Sequence, residues 1–170
     1  LSSGFQVGLF GQPNVGKSSL LNTLIDEERA IVTEVPGTTR DYLEGHRMID
    51  GVMVKFFDTA GLRDTEDEVE RIGIDRTKSL VKELDLVLFV YDAVAGLQKG
   101  DVRLLEELCS SLVWLVPNKC DLLSKEHSLR KEELADRFQE LGASEKLQKM
   151  VTEDLNIQLV GVSAVEGTGI

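Results

Sequence analysis

Gly11-Gln12-Pro13-Asn14-Val15-Gly16-Lys17-Ser18 stands between a short apolar run, Phe5 to Phe10, and a stretch in which Ser19, Leu20, Leu21, Leu24 and Ile25 have helical spacing. The order is therefore strand, loop, helix. Glycines at both ends of such a loop let the backbone turn sharply, so that amide N–H groups converge at a helix N-terminus whose dipole also favours anions. Polyphosphate is the ligand this arrangement suits, bound by the N–H groups of Asn14 to Ser19. Lys17 would neutralise the β and γ phosphates, and Ser18 would hold Mg2+ through its hydroxyl.

The rest of the chain is patterned to carry such a loop. Tyr42 to Ile49 and Val52 to Phe57 flank Asp50-Gly51, a strong hairpin signal, so these two strands are expected to be antiparallel neighbours. Leu84 to Tyr91 and Leu112 to Val116 are near-continuous apolar runs, as in strands buried on both faces. Helical patterns run up to about Glu83, around Val102 to Leu108, from Arg130 to Leu141 and from Glu145 to Val151, before a last strand, Gln158 to Val162. Strands alternating with helices predict an α/β fold: a mostly parallel six-stranded sheet with one antiparallel edge strand and helices on both faces.

All 170 residues fit one domain, 1–170, which the start at Leu1-Ser2-Ser3 and the stop after a Gly-rich turn suggest is excised from a longer chain. With 19 Lys and Arg against 30 Asp and Glu, the net charge of −11 argues against broad binding of nucleic acid or anionic lipid by this segment. No apolar run approaches the roughly 18–20 residues of a membrane-spanning helix. Cys109 and Cys120 are too few for a disulfide framework, which fits a reducing, cytoplasmic setting.

Further motifs follow in order. Asp58-Thr59-Ala60-Gly61 ends a strand beside the phosphate loop; Asp58 could hold Mg2+ from the other side, and the Gly61 N–H could reach the γ-phosphate. Asn118-Lys119-Cys120-Asp121 follows a buried strand, and an Asp carboxylate, acceptor-only, can take both the N1–H and 2-amino hydrogens of guanine. Adenine would leave that carboxylate unpaired, so the expected ligand is GTP or GDP. Ser163-Ala164 would complete the pocket, with a backbone N–H directed at guanine O6. Within Pro36 to Asp41, Thr39 is the choice for the hydroxyl that closes over Mg2+ and the γ-phosphate, with Thr38 its close competitor. Of the remaining polar candidates, His46 and His127 read as surface residues and Cys120 as unreactive, while Trp114 and Phe89 read as core.

Five segments carry a closer likeness: G-x-P-N-x-G-K-S-S-L-L-N at Gly11 to Asn22, A-I-V-T at Ala30 to Thr33, G-T-T-R-D at Gly37 to Asp41, D-T-A-G-L-R at Asp58 to Arg63 and D-E-V-E-R-I-G-I at Asp67 to Ile74. Together they resemble the G domain of the MnmE (TrmE) family of tRNA-modification GTPases, in the translation-factor-related branch of Ras-like P-loop GTPases. The last segment is the most specific, since ribosome-assembly GTPases, the alternative reading, share the earlier ones.

The resemblance implies Mg-dependent GTP hydrolysis. Leu62 stands where many Ras-like enzymes carry the Gln that orients water, and an apolar side chain cannot do that job. Among the carboxylates Asp64, Glu66, Asp67, Glu68 and Glu70, the family singles out Glu70, which there acts on the water indirectly; Arg63 reads as an exposed switch arginine. The family also uses K+ in place of an arginine finger, with Asn14 matching its side-chain ligand. It further implies pairing of G domains across the nucleotide face, and work with MnmG on the wobble uridine of tRNA through domains outside these residues.

Overall fold

The computed structural model describes residues 4–25, 43–58, 81–108, 112–123, 131–153 and 157–169. Six strands, β1 (Phe5–Phe10), β2 (Leu43–Ile49), β3 (Val52–Asp58), β4 (Leu86–Asp92), β5 (Val113–Asn118) and β6 (Ile157–Leu159), form one sheet in the order β2-β3-β1-β4-β5-β6. Helices α1 (Lys17–Ile25), α2 (Lys99–Leu108), α3 (Lys131–Glu140) and α4 (Glu145–Thr152) accompany them, with a short 3-10 turn at Cys120–Leu122. Among the described residues no helix is long and apolar enough to cross a membrane.

Every pairing is parallel except β2 with β3, so the mostly parallel sheet with an antiparallel edge strand is as the sequence predicts. The hairpin joining them turns on Asp50 at φ 48° and Gly51 at φ 82°, the positive pair that a tight two-residue connection requires. Parallel register brings the C-terminal ends of β1, β3, β4 and β5 to one edge, with Leu9 opposite Asp58 and Asp92 opposite Asn118.

Both faces of the sheet are buried under helices. On one, α1 packs Leu20 and Leu21 against Val7, Leu9, Val54 and Phe56. On the other, Leu105 and Leu108 of α2, Phe138 of α3 and Leu147 and Val151 of α4 join Phe89, Val113 and Leu115. The central strand β4 is buried from Leu86 to Tyr91, which explains its unbroken apolar run: neither face is available for a polar side chain. Phe89 is core as predicted, and Trp114 is partly buried against the α1-side cluster.

Strand limits differ from the sequence expectation by two or more residues at three places, one being β5, which runs on to Asn118 rather than ending at Val116, so that the Asn118 turn begins inside the strand. Leu84 lies in a turn before β4, its N–H donating to Val81 O, and the strand register is set by Asp85, whose N–H donates to Gln6 O while its carboxylate accepts from Gln6 N. β6 stops at Leu159 rather than Val162. The N–H groups of Val160 and Val162 still donate to Leu115 O and Pro117 O, but Pro117 has no N–H to return, so the ladder becomes one-sided.

Candidate functional site

At the edge where β1 ends, the chain leaves Phe10 through Gly11 at φ 144° and passes Asn14 at φ 64° and Gly16 at φ 95° before entering α1. Two of these positions admit no side chain. A Cβ on Gly11 would lie 2.1 Å from Val90 O, and one on Gly16 would lie 2.3 Å from Asn118 Nδ2. The loop is thus pressed against the ends of β4 and β5.

Lys17 opens α1 and is buried, its Nζ donating to Gly11 O at 3.0 Å and Gln12 O at 2.8 Å. Its ammonium therefore sits inside the curl of the loop. Beside it, Ser18 Oγ donates to Asp58 Oδ2 at 2.8 Å. Asp58, at the end of β3, is only 2% exposed, a costly location for a carboxylate unless it is paired or ligating. A hydroxyl and a carboxylate meeting beside a phosphate-type loop form an all-oxygen donor set suited to a hard divalent cation such as Mg2+.

The second half of the site grows from β5. Asn118 is 2% exposed, and both polar atoms of its amide are engaged: Nδ2 donates to Val15 O at 3.0 Å, and Oδ1 accepts from Ala164 N at 3.1 Å. It ties the phosphate loop to the turn after β6. Of the two backbone N–H groups of Ser163-Ala164, one of which was expected from sequence to face guanine O6, that of Ala164 is here directed at the Asn118 side chain and that of Ser163 at Thr168 O. Ser163 is fully buried and its Oγ accepts from Glu166 N; Thr23 of α1 donates to Ala164 O, fastening the same turn to the helix.

Lys119 adopts a left-handed backbone at φ 66°, which swings the chain out of β5 into the 3-10 turn carrying Asp121, whose side chain is exposed. Lys119 Nζ donates to Asp92 Oδ2 at 2.6 Å and reaches Asn14 O at 3.4 Å. The Lys119 ammonium, helped by the Val94 and Ala95 N–H groups, holds the Asp92 carboxyl below its ordinary value. Cys120 donates its thiol to Pro117 O, and burial pushes that thiol up, away from the reactive thiolate.

The structure thus brings Asn14, Val15, Gly16, Lys17, Ser18, Ser19 and Asp58 together with Asn118, Lys119, Asp121, Ser163 and Ala164 at one sheet edge. Thr38, Thr39, Gly61, Leu62, Arg63 and Glu70 lie outside the described residues, as do Cys109 and His127. Sequence reasoning missed Asp92 and Thr23. A signal for Asp92 was present: like Asp58, it is an acid that ends an apolar strand.

A parallel sheet with a glycine-turned loop at its C-terminal edge, a buried lysine in that loop and a base-type Asn-Lys-x-Asp turn beside it defines a P-loop nucleotide-binding domain of the Ras-like class. Residues 6–119 match the family model described as 50S ribosome-binding GTPase. The chain belongs to this GTPase family and is a GTP-hydrolysing domain.

Among curated relatives, it is 43% identical over all 170 residues to a protein of Aquifex aeolicus named tRNA modification GTPase MnmE, covering 33% of that protein. It is 42% identical over 170 residues to the protein of the same name from Moorella thermoacetica, again covering 33%, and 46% identical over 136 residues to that of Bacillus subtilis, where the match covers 80% of this chain and 30% of the relative. The chain spans about a third of the length of the curated relatives it matches. Of solved structures, the G domain of the FeoB iron transporter of T. maritima aligns with TM-score 0.62 at 28% identity, covering 97% of this chain and 91% of that one. Era of Aquifex aeolicus bound to GDP.AlF4- aligns with TM-score 0.64 at 26% identity, covering 95% and 52%.

Proposed function

We propose that this chain is the single G domain of a larger tRNA-modification GTPase of the MnmE type. Its part in that protein is to hydrolyse GTP to GDP and phosphate in support of wobble-uridine modification. The observation that carries this reading is the 43% identity to the Aquifex aeolicus MnmE along the whole 170 residues, with no interval of the chain left unmatched. The family description, 50S ribosome-binding GTPase, points instead toward the ribosome, but that model matches residues 6–119, whereas the MnmE relative matches all 170.

In this reading the N–H groups of Asn14 to Ser19 receive the phosphates, and the Lys17 ammonium moves from the loop carbonyls to the β and γ oxygens as charge builds there. Ser18, Asp58 and Thr39 hold Mg2+, which when bound shields the phosphate charge. Asn118, Lys119 and Asp121 with the Ser163-Ala164 turn select guanine. Asp121 accepts from N1–H and the 2-amino group, and the Ala164 N–H exchanges its Asn118 partner for O6. The Gly61 N–H and Glu70 act around the γ-phosphate and its water, Glu70 indirectly.

Asn14 suits K+ as a neutral oxygen ligand: it is exposed on the loop and held in a left-handed turn. K+ would stimulate turnover, coupled to pairing of two G domains across their nucleotide faces, which excludes water from the reacting phosphate. A partner of the MnmG type and the tRNA would act through the rest of the protein, in the cytoplasm. The test is a chimera in which this chain replaces the G domain of a relative in cells lacking MnmE. Restored wobble-uridine modification, lost again with Asp58→Asn, is the expected result. A chimera that hydrolyses GTP but leaves the tRNA unmodified overturns the tRNA assignment while keeping the GTPase.

A further inference from the structure

We propose that Asp92 is a positioning residue for the guanine nucleotide, holding Lys119 and, through it, the phosphate loop in the arrangement that grips the ligand. The inference rests on reading the site as a GTP site. Asp92 closes β4 directly opposite Asn118, so the register of two buried strands decides where its carboxylate stands. Each carboxylate oxygen has its own task. Oδ1 accepts from Val94 N at 2.9 Å and Ala95 N at 3.2 Å, closing the turn that leaves β4, while Oδ2 takes the Lys119 ammonium at 2.6 Å.

Lys119 has reason to need such an anchor. Its backbone is left-handed, a conformation that costs an L side chain energy and persists only where surroundings impose it. Ala93 N donates to Asn118 O just before it, so the β4 turn and the base motif move as a unit. With its far end fixed at Asp92 and within reach of Asn14 O, the four-carbon stem of Lys119 spans from the base motif to the phosphate loop. That stem is an apolar wall suited to a purine face, ordered before the ligand arrives. The pair is partly open, with side-chain exposures of 34% and 23%, so a nucleotide can lie against it. A free lysine in this position would have to be ordered by each incoming ligand.

Release of a fluorescent GDP analogue, followed by stopped flow, tests this together with steady-state GTP hydrolysis. In Asp92→Asn, Oδ1 still closes the turn but the charge on Lys119 is unmatched. GDP leaves about tenfold faster and KM for GTP rises in proportion, while kcat stays within about twofold. Asp92→Ser, whose hydroxyl can also accept from the Val94 and Ala95 N–H groups, gives the same split. Adding Lys119→Ala to Asp92→Asn accelerates release no further than Lys119→Ala alone, because both changes remove one coupling. A purely structural role for Asp92 would instead lower the melting temperature and kcat together, and that result overturns the proposal. So does unchanged GDP release in both Asp92 variants beside normal wild-type binding. A wild-type chain that binds no guanine nucleotide overturns the site reading as well, so the two failures are distinguishable.

Discussion

Ser18 Oγ and Asp58 Oδ2 meet at 2.8 Å, joining the first turn of α1 to the end of β3 across 40 positions of sequence. Parallel pairing of β1 with β3 makes that contact possible, since it sets Leu9 beside Asp58 and so places the loop after β1 over the end of β3. If the two side chains share a Mg2+, Ser18→Ala weakens GDP binding mainly when the metal is present. Calorimetric titration with and without magnesium should find at least about a tenfold gain from the metal in the wild type and less than about twofold in the variant.

Gly16→Ala probes the packing of the loop on the base motif. The new methyl would meet Asn118 Nδ2 at 2.3 Å, and the backbone at φ 95° is one that an alanine rarely adopts. Asn118 cannot retreat without losing its bonds to Val15 O and Ala164 N. We expect a stability loss of about 2–4 kcal/mol, combining left-handed strain with a broken buried hydrogen bond. Chemical denaturation checks the loss, and GDP titration should find affinity falling with it.

What could be read from the sequence, and what could not, follows from how local each cause is. The phosphate loop was legible because its chemistry is written in eight consecutive residues whose glycines are required by the turn itself. The Asp50-Gly51 hairpin was legible for the same reason. For Asp92 only its place at the end of an apolar strand was legible and not its role, because the partner that gives it meaning stands at Lys119 and is brought there only by the register of β4 on β5. The end of β6 was misjudged because it depends on a missing N–H in another strand, at Pro117. The hold of Asn118 on Ala164 N likewise appears only once three loops are placed together.

Asp92 also gives the domain an acid limb. Its carboxyl is held below the ordinary 3.8, first by the hydrogen bond from Lys119 and then by the Val94 and Ala95 N–H groups. A group whose folded value is depressed adds stability that is complete above its unfolded value and lost as pH falls through its folded one. The melting-temperature gap between wild type and Asp92→Asn should therefore be flat from neutral pH down to about 5 and close progressively below 4. A gap independent of pH through that window would mean that the charge of Asp92 contributes nothing.

Tyr91 offers a test of the core. Its side chain is 2% exposed, and its hydroxyl has no hydrogen-bond partner among the described residues. Burial first, then the neighbouring Cys120 and Asp101, drive its ionisation far above the usual range, so it stays neutral. Deleting an unpaired buried hydroxyl removes a desolvation cost. Tyr91→Phe should be neutral or up to about 1 kcal/mol more stable in denaturant unfolding, with GTP turnover unchanged.

Asn14 separates a ligand from a turn-former. Its φ of 64° is a conformation that asparagine tolerates and glycine adopts freely, so Asn14→Gly removes the amide oxygen without straining the loop. If that oxygen binds K+, hydrolysis by the wild type rises when K+ replaces Na+, and the variant turns over equally slowly in both salts with GTP affinity nearly intact. Glu70→Ala should also lower turnover at nearly unchanged affinity, but it should keep the preference for K+, because its task concerns the water rather than the cation. Single-turnover hydrolysis in matched chloride salts reads both effects. An Asn14→Gly variant that retains full K+ stimulation would return Asn14 to a role in shaping the loop alone.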